Sequence, residues 1–338
     1  MKRLILCFSI IKYLIVTVAF TYSQELIIHT YDGKVHPFAI SAIDSITFSV
    51  DTNSEEPEFP IQPSILVQGK FSRCEGIAFN GQGDLYVAGD KALWRVDTQG
   101  QVTRIASAYS NLGLAPIDSS DILFADFGPT NAFDHGYNRD GLVWRITPDG
   151  TKTVAAQGMG DPNFILMLQD STFLVSDDAT NEIFIARRDG TVNIFTQLIN
   201  HPNGMAVSGD GSRLYVAQMF KSINPLVTDG RVWMLRLDNG LIQGSPEVAV
   251  DFGDAAANDG LTMDVLGRIY VACWGYGQIW RFDPQTGDRI LIAKNMPGVA
   301  SMAFGQGEFD HTAIYATSTL QGKVWKVVVG VTGMPLHH

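Results

Sequence analysis

Residues 269–282 read Ile-Tyr-Val-Ala-Cys-Trp-Gly-Tyr-Gly-Gln-Ile-Trp-Arg-Phe, two short apolar runs separated by a glycine-containing turn. Runs of β-branched and aromatic residues bounded by turn residues are typical of paired strands. The first run recurs with a central tyrosine or leucine at 85–87, 122–124, 173–175, 214–216, 269–271 and 314–316. The second run follows it each time, at 93–96, 143–146, 183–186, 232–235, 279–282 and 324–327.

The spacing of these runs predicts the architecture. The centres of the first run are 37, 51, 41, 55 and 45 residues apart, a mean of about 46. Five of the six tryptophans occupy one position in the second run, and Phe184 takes it in the remaining repeat. Six such units predict an all-β fold, a six-bladed β-propeller of four-stranded blades. We expect residues 64–67 to supply the outer strand of the last blade, and the third-strand aromatic residue to fill the space between blades.

Composition excludes several classes of function. The 338 residues carry a formal net charge of −11, so the surface would repel a nucleic acid, and we expect no nucleic-acid partner. Apolar residues make up 46% and charged residues 17%, which excludes disorder over most of the chain.

The first 23 residues are typical of a secretory signal peptide. Lys2 and Arg3 precede an apolar run, and Thr21 and Ser23 are the small residues expected before a cleavage site. We therefore expect an exported protein, periplasmic, on the cell surface or extracellular, with no transmembrane segment in the mature chain.

Two short segments separate the signal peptide from the propeller. Residues 24–50 predict a β-hairpin appendage, with strands at 26–30 and 35–38, a turn at Asp32-Gly33 and a third strand at 45–48. Residues 51–63 are acidic and proline-rich and predict a linker, so the propeller spans 64–336. Cys74 and Cys273 lack metal-ligand spacing; we expect buried apolar residues, with a disulfide as the alternative.

Polar residues precede four of the predicted inner strands. The inner strand of each propeller blade lines the central channel, so the residues at its start approach a common axis. At this point of the repeat stand Glu75, Asn163, Asn203 and Asp259. Carboxylate and amide oxygens suit hard cations such as Ca²⁺, Mg²⁺ or Mn²⁺. The alternative is that the two asparagines only cap the turns between blades.

These positions carry a resemblance to a known family. Together with 202–207 (Pro-Asn-Gly-Met-Ala-Val), 258–263 (Asn-Asp-Gly-Leu-Thr-Met) and 330–336, they resemble the senescence marker protein/gluconolactonase family over about residues 64–336. The resemblance implies a six-bladed propeller with one divalent metal ion, Ca²⁺ foremost and Zn²⁺, Mn²⁺ or Mg²⁺ as alternatives, and hydrolysis of sugar lactones. It implies that Glu75, Asn163, Asn203 and Asp259 bind the metal and that Asp259 is also the general base.

The chain departs from the family at the first asparagine. Sugar-lactonase members have a substrate-binding arginine two residues before it and an aspartate after it, where this sequence has Asp161 and Phe164. We assign Asp161 as a candidate substrate-binding residue, with His135 from the insertion at 127–140 and with His201. The alternatives are a solvated loop for the insertion and a surface histidine for His201.

Three functions remain open from the sequence. A small-molecule lactone or ester is the expected substrate, opened by metal polarisation of the carbonyl and proton transfer to Asp259. A phosphotriester is the second candidate, as in diisopropylfluorophosphatase-like propellers. The third is a non-catalytic binding propeller with NHL-type repeats, for which two inward carboxylates have no evident use. The sequence contains no Gly-x-Ser-x-Gly nucleophile motif, and it leaves the oligomeric state open.

Overall fold

The computed structural model describes residues 57–168 and 172–337, except the side chains of 133 and 134, and the backbone of three strands before residue 57. The chain divides into two compact units, Met1–Glu56 and Pro57–His338. In the first unit β1 (Leu14–Ile15), β2 (Glu25–Thr30) and β3 (Val35–Ala39) form an antiparallel sheet in that order.

The sheet of the first unit contains the predicted hairpin, since β2 and β3 pair with residue 26 opposite residue 38. The strand predicted at 45–48, residues 51–56 of the predicted linker and all of the predicted signal peptide except 14–15 lie outside the described residues.

Six antiparallel four-stranded sheets make up the second unit, and they confirm the predicted six-bladed propeller. The strands are β4 (Ser64–Val67), the outer strand of blade 6; blade 1, β5 (Cys74–Phe79), β6 (Leu85–Gly89), β7 (Ala92–Val96) and β8 (Val102–Ser107); blade 2, β9 (Leu114–Ile117), β10 (Asp121–Asp126), β11 (Gly141–Ile146) and β12 (Lys152–Met159); blade 3, β13 (Pro162–Met167), β14 (Phe173–Asp177), β15 (Ile183–Ala186) and β16 (Val192–Thr196); blade 4, β17 (Pro202–Val207) and β18 (Arg213–Gln218), a hairpin of β19 (Phe220–Ile223) and β20 (Leu226–Thr228), then β21 (Arg231–Asp238) and β22 (Leu241–Asp251); blade 5, β23 (Asn258–Met263), β24 (Ile269–Cys273), β25 (Gln278–Phe282) and β26 (Arg289–Ala293); and blade 6, β27 (Val299–Phe304), β28 (Ala313–Ser318) and β29 (Val324–Val328).

The ring closes as the sequence predicts, because β29 pairs with β4 and residue 325 lies opposite residue 65. A short helix α1 (Ala132–His135) follows β10, and two 3₁₀ turns, Asp254–Ala256 and Trp274–Tyr276, flank β23 and β24. No helix in the part of the chain that the structure describes is long and apolar enough to cross a membrane.

The second strand of each blade carries the core between blades. Its central residue is 0–3% exposed in all six blades: Tyr86, Leu123, Leu174, Tyr215, Tyr270 and Tyr315. A strand packed against blades on both sides buries both of its faces, which explains its nearly continuous apolar sequence.

The third-strand aromatic residues pack in or against the core clusters of the propeller. Phe184 and Trp325 are buried members of these clusters, and Trp94, Trp144, Trp233 and Trp280 are partly buried and pack against them. Each of the four partly buried indole N–H groups donates to an oxygen, as in the 2.9 Å bond from Trp144 to Asp126.

Two features near the ends of the second unit extend it beyond the predicted strands. Ile61 pairs with Ala293 of blade 5, so residues 57–63 of the predicted linker belong to the compact unit. At the other end Met334 N donates to Met263 O at 2.9 Å, and Gly333 forms a bridge with Asp264. The C-terminal segment therefore lies across the end of the channel opposite to the starts of the inner strands.

Candidate metal centre

The four candidate ligands occupy one structural position, a break in the pairing of the inner strand. In five blades the ladder between the first and second strands skips two residues, as between Cys74 and Ile77 in blade 1. The skipped pairs are Glu75-Gly76, Asn163-Phe164, Asn203-Gly204, Asp259-Gly260 and Ala300-Ser301. Such a bulge redirects a side chain out of the regular alternation of a strand. Here it gives four blades a polar side chain at the same level.

Glycines beside the candidate ligands allow neighbouring inner strands to approach closely. A Cβ on Gly204 would lie 2.4 Å from the backbone oxygen of Asp259 in the next blade, and a Cβ on Gly76 would lie 2.0 Å from that of Leu112. Neither space accommodates a side chain, so glycine is required for the backbones to meet. The sequence pattern of ligand followed by glycine thus brings blade 4 against blade 5 at the site.

One cavity of about 480 Å³ is lined by all four predicted ligands. Asn163, Asn203 and Asp259 are at most 5% exposed, and Glu75 is partly buried. Leu112 and Ala300 take the equivalent positions in blades 2 and 6, so the polar side chains are confined to four blades. We refer to this space as the channel cavity.

The two carboxylates of the channel cavity are electrostatically unfavourable in their ionised forms. Burial raises the pKa of Glu75 from 4.5 to about 7, partly offset by the Arg73 guanidinium. Burial, and then repulsion from Glu75, raises the pKa of Asp259 well above its ordinary value. A bound cation would remove this cost, since an opposite charge favours the ionised form.

The amide groups also fit a hard cation. Asn203 Oδ1 is buried with no hydrogen-bond partner among the described residues. Asn163 Nδ2 donates to Asp178 Oδ2 at 2.9 Å, which leaves Oδ1 as the other polar atom of that amide. A buried amide oxygen without a hydrogen-bond partner, beside two carboxylates and a second amide, fits the oxygen donors that Ca²⁺ takes in proteins. No cluster of three or more His, Cys, Asp or Glu suited to a metal occurs in the described part of the chain, and two of the four predicted ligands are amides.

Asp178 is a third carboxylate of the channel cavity, and the sequence reasoning missed it. It follows β14, it is 5% exposed, and its Oδ1 has no hydrogen-bond partner among the described residues. Burial, with repulsion from Asp177 and Glu75, raises its pKa well above the ordinary value. Its place at the end of a second strand falls outside the repeat position that identified the other four.

The three candidate substrate-binding residues lie outside the lining of the channel cavity. Asp161 is fully buried, and its Oδ2 accepts the backbone N–H of Ala132 at 2.7 Å, so it holds the insertion in place. His201 Nδ1 contacts the backbone oxygen of Asp178 at 2.8 Å and supports the turn that carries this aspartate. His135 is exposed at the end of α1.

The insertion at 127–140 reaches the cavity through other residues. Phe127 and Asn131 line it, beside Tyr109, Phe220 and Trp274 from neighbouring loops. Aromatic walls of this kind suit the apolar faces of a small organic ligand.

The two cysteines are free and buried, as expected for apolar residues. Cys74 precedes Glu75, and its Sγ contacts the backbone oxygens of Ser318 and Lys323 at 3.6 and 3.3 Å. Cys273 Sγ contacts Asn258 Oδ1 at 3.3 Å. Cys74 lies on the strand that carries Glu75, and Cys273 lies on the strand paired with the one that carries Asp259.

The fold and the site define this chain as a six-bladed propeller with an oxygen-lined cavity at one end of its channel. Within this class the family is shown directly. Residues 48–320 match the family described as "SMP-30/Gluconolactonase/LRE-like region", and the chain belongs to this family.

The sequence matches to individual relatives cover a shorter part of the chain than the family match does. Regucalcin of Danio rerio is 38% identical over 71 residues, 20% of this chain and 23% of the relative, so the chain matches under a quarter of the relative's length. A solved calcium-binding protein, regucalcin, from Agrobacterium tumefaciens superimposes with a TM-score of 0.66 at 21% identity, over 83% of this chain and 98% of that one. A gluconolactonase of Xanthomonas campestris gives 0.61 at 16% identity, over 81% and 97%. These structural likenesses show the fold.

Proposed function

We propose that this protein is a metal-dependent hydrolase of the gluconolactonase type, which opens a sugar lactone or a related cyclic ester. The convergence of Glu75, Asn163, Asn203 and Asp259 on one cavity carries the proposal. Family membership and the gluconolactonase and calcium-binding relatives support it.

Glu75, Asn203 and Asp259, with Asn163, would hold the metal ion, and Ca²⁺ suits their oxygen donors best. Two carboxylates balance the charge of a divalent cation, which makes the burial of all three charges favourable. Such an ion supplies Lewis-acid polarisation of the substrate carbonyl.

The remaining steps belong to the side chains of this chain. Asp259 takes a proton from the water molecule whose oxygen attacks the carbonyl carbon. The bond from this carbon to the ring oxygen then breaks, and the proton passes to the ring oxygen, so the products are a hydroxyl and a carboxylic acid. Asp178 holds the amide of Asn163 in a fixed orientation through their 2.9 Å hydrogen bond. The aromatic walls position the lactone ring and exclude bulk water.

The test is hydrolysis of glucono-1,5-lactone and a panel of γ- and δ-lactones in a pH-stat, with spontaneous hydrolysis subtracted. Activity should disappear after chelation, return with Ca²⁺, Zn²⁺ or Mn²⁺, and be absent in Asp259→Asn. The matched control Asp238→Asn changes an exposed aspartate remote from the cavity and should be active. Chelator-resistant turnover, or turnover of phosphotriesters alone, would reject the lactonase proposal.

We further propose that the mature protein acts outside the cytoplasm, on the basis of residues 1–23. Fractionation of expressing cells, with N-terminal sequencing of the product, tests this. A cytoplasmic product that keeps its first residues would overturn it.

A further inference from the structure

The channel cavity has two cations on its wall, both from blade 1. Arg73 precedes β5 and Lys91 lies in the turn between β6 and β7, and both are exposed residues of the lining. They are the cationic residues of that lining, against the carboxylates of Glu75, Asp178 and Asp259.

Local hydrogen bonds fix the backbone at both cations. The Asp90 carboxylate accepts the backbone N–H groups of Ser72 and Arg73, at 3.0 and 3.1 Å, and also the Ser72 hydroxyl. Lys91 N donates to Asn111 Oδ1, and Asp90 and Lys91 both have positive φ, 48° and 57°. A turn with two left-handed residues is conformationally costly, so its geometry is defined by these partners.

Neither cation is held in a direct ion pair, although Arg73 lies close enough to Glu75 to lower the pKa of that carboxyl. No ion pair in the described part of the chain includes Arg73 or Lys91. The nearest carboxylate in sequence, Asp90, is already engaged by Ser72 and by the backbone. Other exposed arginines in the described part of the chain, such as Arg139 and Arg188, do pair with a carboxylate.

The charge of the cavity depends on the metal ion. A bound divalent cation favours the ionised carboxylates, and the three carboxylates, the two protein cations and the metal ion together would then carry a net charge of +1. This local positive charge lies in a protein whose overall charge is −11. A cleft of one sign concentrates ligands of the other sign, and an arginine beside a lysine at its wall can bind an anionic oxygen group directly.

We propose that the substrate is a lactone that carries an anionic group, carboxylate or phosphate, bound by Arg73 and Lys91 while the ring carbonyl faces the four ligands. This inference rests on the proposed function, which identifies the substrate as a lactone. The anionic group is inferred from Arg73 and Lys91, which form no ion pair in the described part of the chain. The side-chain length of both cations allows them to follow the anion on lactones of different size.

The test compares D-glucono-1,4-lactone with D-glucaro-1,4-lactone, which has a carboxylate in place of the terminal CH₂OH. A 6-phosphoglucono-lactone serves as the phosphate arm. Binding to the calcium-loaded protein is measured as KM where a lactone is hydrolysed and as Kd by calorimetry where it is not. We expect the anionic lactone to bind at least about tenfold more tightly, as a charge-assisted hydrogen bond predicts.

The variants separate this inference from a general effect of charge. Arg73→Gln/Lys91→Gln should reduce the ratio of anionic to neutral binding to about one, whereas Arg73→Lys should retain most of it. The control Arg104→Gln/Arg187→Gln removes two exposed cations remote from the cavity and should leave the ratio unchanged. Equal binding of both lactones, or a ratio that survives the double variant, would overturn the inference. Absence of hydrolysis with the binding preference intact would count against the proposed function alone.

Discussion

Replacing Glu75 by glutamine should stabilise the metal-free protein and abolish its stabilisation by metal. Glutamine keeps the shape of the side chain and removes one of two mutually repelling carboxylates. Glu75 has no acidic role in folding that the substitution would remove, since its ionised form is the unfavourable one. A binding site that destabilises the metal-free protein is expected when its residues are selected for ligand binding and not for stability.

The magnitude follows from the pKa of Glu75, which burial raises from 4.5 to about 7. At about 1.4 kcal/mol for each pKa unit, ionisation at pH 7.5 costs the folded state about 3 kcal/mol. Glu75 is partly exposed, so solvent reduces this figure, and we expect a gain of about 1–3 kcal/mol in Glu75→Gln. For a domain of this size the change corresponds to a rise in Tm of roughly 2–6 °C.

The assay is thermal unfolding followed by circular dichroism, with chelator and with Ca²⁺ at increasing concentration. Wild type should gain about 4 kcal/mol at a thousandfold excess over Kd, whereas Glu75→Gln should gain little and become the less stable protein in Ca²⁺. The control Glu247→Gln, on an exposed outer strand, should match wild type in both conditions. A Tm for Glu75→Gln below that of metal-free wild type would refute the reasoning.

Three further predictions concern the same site. Gly204→Ala should weaken Ca²⁺ binding and lower the free energy of unfolding by about 1–3 kcal/mol, because its Cβ would lie 2.4 Å from Asp259 O. The control Gly209→Ala, whose Cβ would meet only the flexible end of Met334, should change neither quantity. Calorimetric titration with Ca²⁺ and denaturant unfolding compare the two variants. The Tm of the metal-free protein should fall as pH rises from about 4.5 to 7, because a carboxyl whose pKa is raised in the folded state stabilises that state only while it is protonated. Saturating Ca²⁺ should flatten this pH profile. A Tm that rises over that interval without metal would contradict the prediction. His135→Ala should leave kcat/KM within about twofold of wild type, because this side chain lies outside the cavity lining; a larger loss would return it to the substrate site.

The sequence predicts the propeller because the residues that recur in each repeat are buried core residues. The buried centres of the second strands and the aromatic position of the third recur six times, and each repeat needs its neighbours to bury them. The hairpin β19–β20 lies within the 55-residue step between Tyr215 and Tyr270, and the sequence analysis did not predict it. Length alone does not specify how an insertion folds.

The site was predictable to the extent that it follows the repeat. Glu75, Asn163, Asn203 and Asp259 share one phase and reach one cavity. Asp178 lies outside this repeat position, at the end of the strand that pairs with the one carrying Asn163. Its role depends on the hydrogen bond between these two side chains, which the sequence repeat does not show.

The assignment of Asp161 illustrates the opposite limit. It was assigned because it stands two residues before Asn163, where the resembling family has a substrate-binding arginine. In the structure Asp161 is buried outside the cavity lining, where it accepts the Ala132 N–H and burial raises its pKa to about 6.

The central claim is that one divalent cation binds to four side chains at the starts of four inner strands. Calorimetric titration of the metal-free full-length chain with Ca²⁺ tests it most directly, in wild type and in Asp259→Asn, with Asp238→Asn as the control. We expect one site per chain, lost in Asp259→Asn and unchanged in the control. Absence of binding by wild type, or the same affinity in Asp259→Asn, would contradict it.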